Sequence, residues 1–280
     1  MRELVIVFWH YQMGNDKDMH LFIELLMKNF SIEEVCHYFN FSMKQHDQLC
    51  AYRQEYRDIK KIYDTQSIRL LTFFDDHYPE SLKAMHFPPL VLSYKGNIGL
   101  LSHKRITFVA ENELSFYAEQ VIDDMVSTLK GKTIVASILF DSTRYLYDYA
   151  NKNGIRSILV LGSSFDKQYP LKHLFLENHA YKTGLVICEY PLNVPFRKTS
   201  LLRHRQLLVG LSSVVCVLEC SKKSSHLLNA YVALEQNKEV VVPPHNLFED
   251  FGNGGNSLIQ EGARIYLCAT DLQEALDDAY

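Results

Sequence analysis

The hydrophobic period of the chain changes near residue 66. Before that point it is helical. Ser31-Ile32-Glu33-Glu34 and Ser42-Met43-Lys44-Gln45 fit the capping box, in which a hydroxyl and an N3 side chain satisfy free backbone donors. Leu49, Tyr52, Tyr56, Ile59 and Tyr63 then recur at spacings of 3, 4, 3 and 4, which places them on one face of a helix. We read that face as core packing, and residues 1–65 as a small helical domain without chemistry of its own. Beyond it, short apolar runs cover 68–74, 90–94, 106–110, 133–137, 157–162, 185–190, 214–220, 239–242 and 264–268. Helical patterns such as 114–129 and 227–234 lie between them. Continuous apolar strands are those covered on both faces. Their alternation with helices predicts an α/β fold over 66–280: a Rossmann-like, doubly wound, mostly parallel sheet. Such folds bind ligands at the carboxyl ends of their strands, so the functional loops should follow Ala110, Ser137, Gly162, Tyr190, Cys220 and Val242.

Composition narrows the picture. Of 280 residues, 47% are hydrophobic and 22% charged, an ordinary globular balance. No apolar run reaches the roughly 18 residues of a membrane span. The apolar segment 4–9 lacks a small-residue cleavage site, so no signal peptide is read and a soluble, cytosolic protein is expected. Six cysteines include no C-x-x-C pair. Cys216 and Cys220 lie on one strand, about 13 Å apart, and buried reduced thiols are expected. The dinucleotide fingerprint, the Walker loop, the G-x-S-x-G elbow and the H-E-x-x-H helix are all missing. No cofactor, metal or catalytic activity is therefore expected.

The net charge of −4 argues against general coating of nucleic acid, so a DNA site would have to be a local patch. From 195 to 225 stand Arg197, Lys198, Arg203, Arg205, Lys222 and Lys223 with Glu219, net +5; from 249 to 280 stand seven acids with Arg264, net −6. The asymmetry suggests a basic binding face and an acidic tail, although each run also fits a solvated face. Leu161-Gly162-Ser163-Ser164 has the make-up of a phosphate-cradling loop and equally of a tight turn.

Several motifs resemble the DNA-processing proteins called DprA or Smf. They are Tyr78-Pro79-Glu80-Ser81-Leu82, Pro88 through Asn97, Val160-Leu161-Gly162 with Tyr169-Pro170, Glu189-Tyr190-Pro191, Val232-Ala233-Leu234-Glu235 through Pro243, and Gly254 through Ala263. Together they span about residues 70–270, and the helical segment stands where that family has a sterile-alpha-motif-like domain. The resemblance implies a dimeric, non-catalytic protein that binds single-stranded DNA during natural transformation, protects it and helps load RecA. It also implies DNA contacts at Asn112, Ser163, Ser164, Lys172, Arg203, His204, Arg205, Lys222, Lys223, Ser224 and Ser225. The match is incomplete. Val109-Ala110-Glu111-Asn112 replaces Val-Gly-Ser-Arg, so Glu111 competes with phosphate. Ala136 through Thr143 lacks the glycines of the second loop and adds Asp141. The first two phosphate loops thus look eroded, and binding is expected mainly through 197–226. Two alternatives stay open: a nucleotide-processing enzyme of a related Rossmann-like group, such as a phosphoribohydrolase, and a partner protein that has lost DNA affinity.

Overall fold

A computed structural model describes residues 1–111 and 114–279, apart from the side chain of Val126. Five helices come first: α1 (Arg2–His10), α2 (Asp16–Met27), α3 (Ile32–Tyr38), α4 (Met43–Cys50) and α5 (Tyr52–Thr65). Both expected capping boxes form, Ser31 with Glu34 at α3 and Ser42 with Gln45 at α4. The face from Leu49 to Tyr63 does not belong to one helix. Ala51, at φ −90° and ψ 18°, bends the chain between α4 and α5. The five residues still converge, because Leu49, Ile59 and Tyr63 are buried and Tyr52 and Tyr56 pack against the same cluster. The apolar segment Leu4 to Trp9 is α1, with all six residues buried. At about 1.5–3 kcal/mol for each large apolar side chain removed from water, this helix anchors the N-terminal segment. Its cluster runs on to Leu90, Val91, Leu159 and Val186 of the sheet region.

The remaining elements alternate as the apolar runs require. They are β1 (Arg69–Thr72), α6 (Glu80–Lys83), β2 (Val91–Gly96), β3 (Arg105–Ala110), α7 (Phe116–Leu129), β4 (Thr133–Ser137), α8 (Thr143–Lys152), β5 (Arg156–Val160), α9 (Leu174–Thr183), β6 (Leu185–Cys188), α10 (Leu201–Gly210), β7 (Val214–Glu219), α11 (Leu228–Glu235), β8 (Glu239–Val242), α12 (Asn253–Gln260), β9 (Arg264–Ile265) and α13 (Ala269–Asp278). They build one sheet of nine strands in the order β1-β2-β6-β5-β4-β3-β7-β8-β9. β1 and β2 run antiparallel to their neighbours, and the other pairings are parallel. The architecture is therefore the expected α/β, doubly wound, mostly parallel one.

From β3 the chain builds outward through β4, β5 and β6, then returns to place β7 on the other side of β3. This reversal opens a crevice at the carboxyl ends of β3 and β7, the usual ligand position in open α/β sheets. A register shift between Val109 and Ala110 bends β3 just before that crevice. The acidic C-terminal stretch is not a tail. Leu272, Ala275 and Leu276 of α13 are buried with Ala118, Ile122 and Met125 of α7. Arg264 gathers Glu239, Glu274 and Asp278 around itself. Four cysteines are buried, Cys50 and Cys268 are exposed, and all six are free thiols.

Candidate nucleic-acid interface

The crevice between β3 and β7 is already lined with carboxylates of the chain itself. Glu219 closes β7 and is 5% exposed. It accepts hydrogen bonds from the backbone N–H of Ser115 (2.8 Å) and from its hydroxyl (2.5 Å). Ser115 in turn caps α7 by accepting from the Ala118 N–H. An acid at a helix start satisfies unpaired donors and the positive end of the helix dipole. Glu111 turns toward the neighbouring loop, where it accepts from the Ser221 N–H at 3.0 Å. The side chain expected to compete with phosphate thus holds the turn that carries Lys222 and Lys223. Asn112 lies outside the described residues.

That turn is braced from its other side by α12. Asn253 Oδ1 accepts from the Lys222 N–H at 2.7 Å, and Gly254 donates its N–H to the Cys220 carbonyl at 3.0 Å. A Cβ on Gly254 would sit 2.5 Å from the Cys220 oxygen and 2.8 Å from that of Ser221. Only glycine permits this approach, which gives the Gly254-Gly255 motif a structural reason. Asn256 exchanges two hydrogen bonds with the backbone of His245. Lys222, Lys223 and Ser225 stand exposed on the turn, whereas Ser224 is buried. The Ser224 hydroxyl accepts from the His226 N–H and so starts the helical turn leading to α11.

The three basic residues of α10 have separate surroundings. Arg203 is committed to internal partners. It donates to Glu189 Oε1 from Nε at 2.7 Å and to the Phe87 carbonyl at 2.7 Å, and Asp16 of α2 lies 3.1 Å away. Burial pushes the Glu189 carboxyl up to about 7, while Arg203 pulls it down. His204 is 2% exposed, with Nε2 at 2.7 Å from the Ser137 hydroxyl at the end of β4. Burial drives its pKa down to about 4, so the ring is neutral at pH 7. Arg205 is 8% exposed. Among the described residues it makes no ion pair, its Nε has no hydrogen-bond partner, and burial lowers its pKa with no carboxylate opposing.

Arg205 faces His226, on which its charge acts together with Glu111 and Asp141. Burial, then Arg205, pulls the His226 pKa below the ordinary value, and the two carboxylates oppose that. Phe140 packs edge-on to the ring at 4.8 Å. Among the described residues, His226 Nδ1, Ser142 Oγ and Asn229 Oδ1 are buried without hydrogen-bond partners. Buried polar atoms without partners are uncommon and call for a reason. Of these atoms, the Ser142 hydroxyl and the His226 ring nitrogen can each donate a hydrogen bond to an anion, whereas Asn229 Oδ1 is an acceptor and cannot.

The loops after β4, β5 and β6 continue the rim. Lys172 is exposed and pairs with Asp141, so these two charges offset each other. Ser163 is buried, and its carbonyl accepts from the Cys188 thiol. The Ser164 hydroxyl points inward, its one proton shared between Asp166 Oδ1 at 2.8 Å and the Val194 carbonyl at 2.9 Å. A Cβ on Gly162 would meet the end of the Leu139 side chain at 2.8 Å, which would have to move aside. Of the predicted residues, Lys222, Lys223, Ser224 and Ser225 share the turn after β7, and the Arg205 charge acts on His226, the next residue along. Arg203, His204, Ser163 and Ser164 are turned into the fold, and Lys172 lies along the rim. His226, Asn253 and Ser142 were not singled out from sequence, because their neighbours are distant in the chain. Among the described residues, no group of three or more His, Cys, Asp or Glu side chains is placed to hold a metal ion. No helix there is long and apolar enough to cross a membrane.

Comparison with known proteins identifies the family and the fold. The sequence model of the family described as DNA recombination-mediator protein A matches residues 69–277. The DNA processing protein DprA of Bacillus subtilis is 31% identical over 219 residues, covering 77% of this chain and 74% of that protein. The X-ray structure of DNA processing protein A from Streptococcus pneumoniae shares the fold with a TM-score of 0.80 at 20% identity, covering 99% of this chain and 98% of that one. A structure of the Helicobacter pylori protein, reported for its single-stranded DNA binding mode, matches with a TM-score of 0.65 at 22% identity over 76% of this chain and 98% of that one. Matched over three quarters of its length, and with its fold and motifs in place, this chain belongs to the DNA recombination-mediator protein A family, the DprA/Smf proteins.

Proposed function

We propose that the protein binds single-stranded DNA along the carboxyl ends of its central strands, without catalysing a reaction on it. Arg205 carries this reading. It is a buried guanidinium at the switch-point crevice, with no ion pair among the described residues. Burying an unpaired charge costs several kcal/mol, and a phosphodiester oxygen entering the crevice offsets that cost with charge-assisted hydrogen bonds. Lys222 and Lys223 supply exposed point charges on the adjoining turn, and Ser225 adds a hydroxyl. Membership of the family and the DNA-binding Helicobacter pylori relative support the same reading.

The wider role follows the family. In the cytosol, as a homodimer, the protein shields strands taken up in natural transformation and helps load RecA onto them. Residues 1–65 form a helical domain and 66–280 the Rossmann-like one, with Asp16–Arg203 and Trp9–Glu189 joining the two. Anisotropy with a labelled single strand at low salt tests the core of the proposal. The wild type binds, and Arg205→Ala weakens binding at least about 10-fold, the cost of one charge-assisted contact. Absence of wild-type binding contradicts the reading. Glu111 and Glu219 in the crevice favour a second reading, a partner protein that has lost DNA affinity, and the same titration separates the two.

A further inference from the structure

Three and four strands along the rim from β7, the loops after β5 and β6 bring two aromatic rings together. Tyr169 and Phe196 stack with centroids 4.4 Å apart and planes 4° from parallel. Tyr169 is 48% exposed, an unusual setting for a stacked pair that serves only as core. The pair lies on a groove of about 640 Å³ lined also by Lys167, Gln168, Leu171 and Lys198. Arg197 and Lys198 are exposed beside Phe196. The one acid of the groove, Asp166, binds the Ser164 hydroxyl and the Asn193 N–H on its inner side and pairs with Lys167 at 3.9 Å on its outer side, which leaves Arg197 and Lys198 as the exposed cations beside the rings.

The two loops are fixed to each other. Ser164 donates its N–H to the Val194 carbonyl (3.0 Å), and its hydroxyl both donates to that carbonyl (2.9 Å) and accepts from the Val194 N–H (3.1 Å). One serine thus sets the separation of the segments that carry the rings. An exposed, pre-positioned aromatic plate edged by cations matches the chemistry of a single-stranded nucleic acid, whose bases stack on aromatic faces while its backbone follows positive charge. A protein partner would gain little from three lysine and arginine side chains around so small an apolar face.

We infer that the Tyr169–Phe196 pair is a base-stacking platform for single-stranded DNA, separate from the phosphate contacts at Arg205, with Ser164 as its positioning residue. The inference rests on the DNA-binding reading above and names a second subsite of it. β5 and β6 lie three and four strands from β7, or about 15–20 Å at the usual strand spacing. A strand of a few nucleotides therefore spans both sites.

The test uses the full chain and thymidine strands with one 2-aminopurine moved along them. Stacking against an aromatic ring quenches that base. With the wild type, quenching is expected at one position or two adjacent ones. Tyr169→Ala combined with Phe196→Ala removes it and weakens binding on the order of 10- to 100-fold. The salt slope stays unchanged, because no charge is lost. Tyr169→Phe retains both quenching and affinity, and Ser164→Ala reduces the quenching. If the double variant does not fold, an abasic site moved along the strand reads the same contact on the wild type, with a matching loss at the quenched position. Wild-type binding with neither position-specific quenching nor an abasic penalty overturns the platform and leaves the proposed function standing. No wild-type binding at all overturns both.

Discussion

Arg203 and Arg205 are two residues apart on one helix, and their surroundings give them opposite roles. Arg203 closes a buried network with Glu189, Asp16 and the Phe87 carbonyl. Removing one partner of a buried ion pair leaves the other charge uncompensated. Arg203→Ala should therefore lower stability by about 3–5 kcal/mol in urea denaturation, far more than Arg205→Ala, which removes an unpaired buried charge and leaves stability unchanged or raised. An Arg203 variant as stable as the wild type would remove the network from this account. From sequence both residues belonged to one basic stretch. Their separation was not legible, because Asp16, Phe87 and Glu189 come from three distant segments. His204, between them, makes a pH prediction. Its folded pKa of about 4 lies below the ordinary 6.5, so the unfolded chain binds more protons between those values. Its contribution is complete above pH 6.5 and is lost as pH falls toward 4, at most about 3 kcal/mol. The stability difference between wild type and His204→Asn, followed by urea titration at successive pH values, should shrink on acidification through that window. A constant difference would show that the ring does not titrate as its burial requires.

At the level of elements, the sequence was most legible where one physical signal decided the outcome. All nine strands lie within or overlap the apolar runs, because a strand covered on both faces admits few polar residues. The capping boxes at α3 and α4 were equally local. The bend at Ala51 carried no glycine or proline to mark it, so Leu49 to Tyr63 read as one helix although two are present. Strand order was not legible either. The return of β7 to the side of β3, which creates the crevice, is set by long-range packing. The motif at Gly254 was visible, but its purpose was not. It brings the first turn of α12 against the Cys220–Ser221 carbonyls and so shapes the Lys222–Lys223 turn. Gly254→Ala forces a Cβ to within 2.5 Å of a backbone oxygen. It should weaken single-strand binding several-fold without changing the protein's charge. Undiminished affinity in a variant whose folding is verified by circular dichroism would separate the turn from the binding site.

Over the whole molecule, a net charge of −4 coexists with a local line of exposed cations. Of the seven acids of the C-terminal region, four stand in α13 and three in the segments flanking α12, and Arg264 pairs with two of them, Glu274 and Asp278. The exposed cations Arg197, Lys198, Lys222 and Lys223 lie along the carboxyl ends of the strands. The six basic residues counted in the sequence therefore form a broken line of four exposed cations and two inward ones, Arg203 and Arg205, rather than a single patch. Fluorescence anisotropy of a labelled single strand and of its duplex, across a salt series with the full chain, tests the central claim most directly. Three or four phosphate contacts predict an affinity that falls with log salt at a slope of about −2 to −3, with the single strand bound more tightly than the duplex. Absence of single-strand binding at low salt, or an affinity that does not respond to salt, would contradict the account.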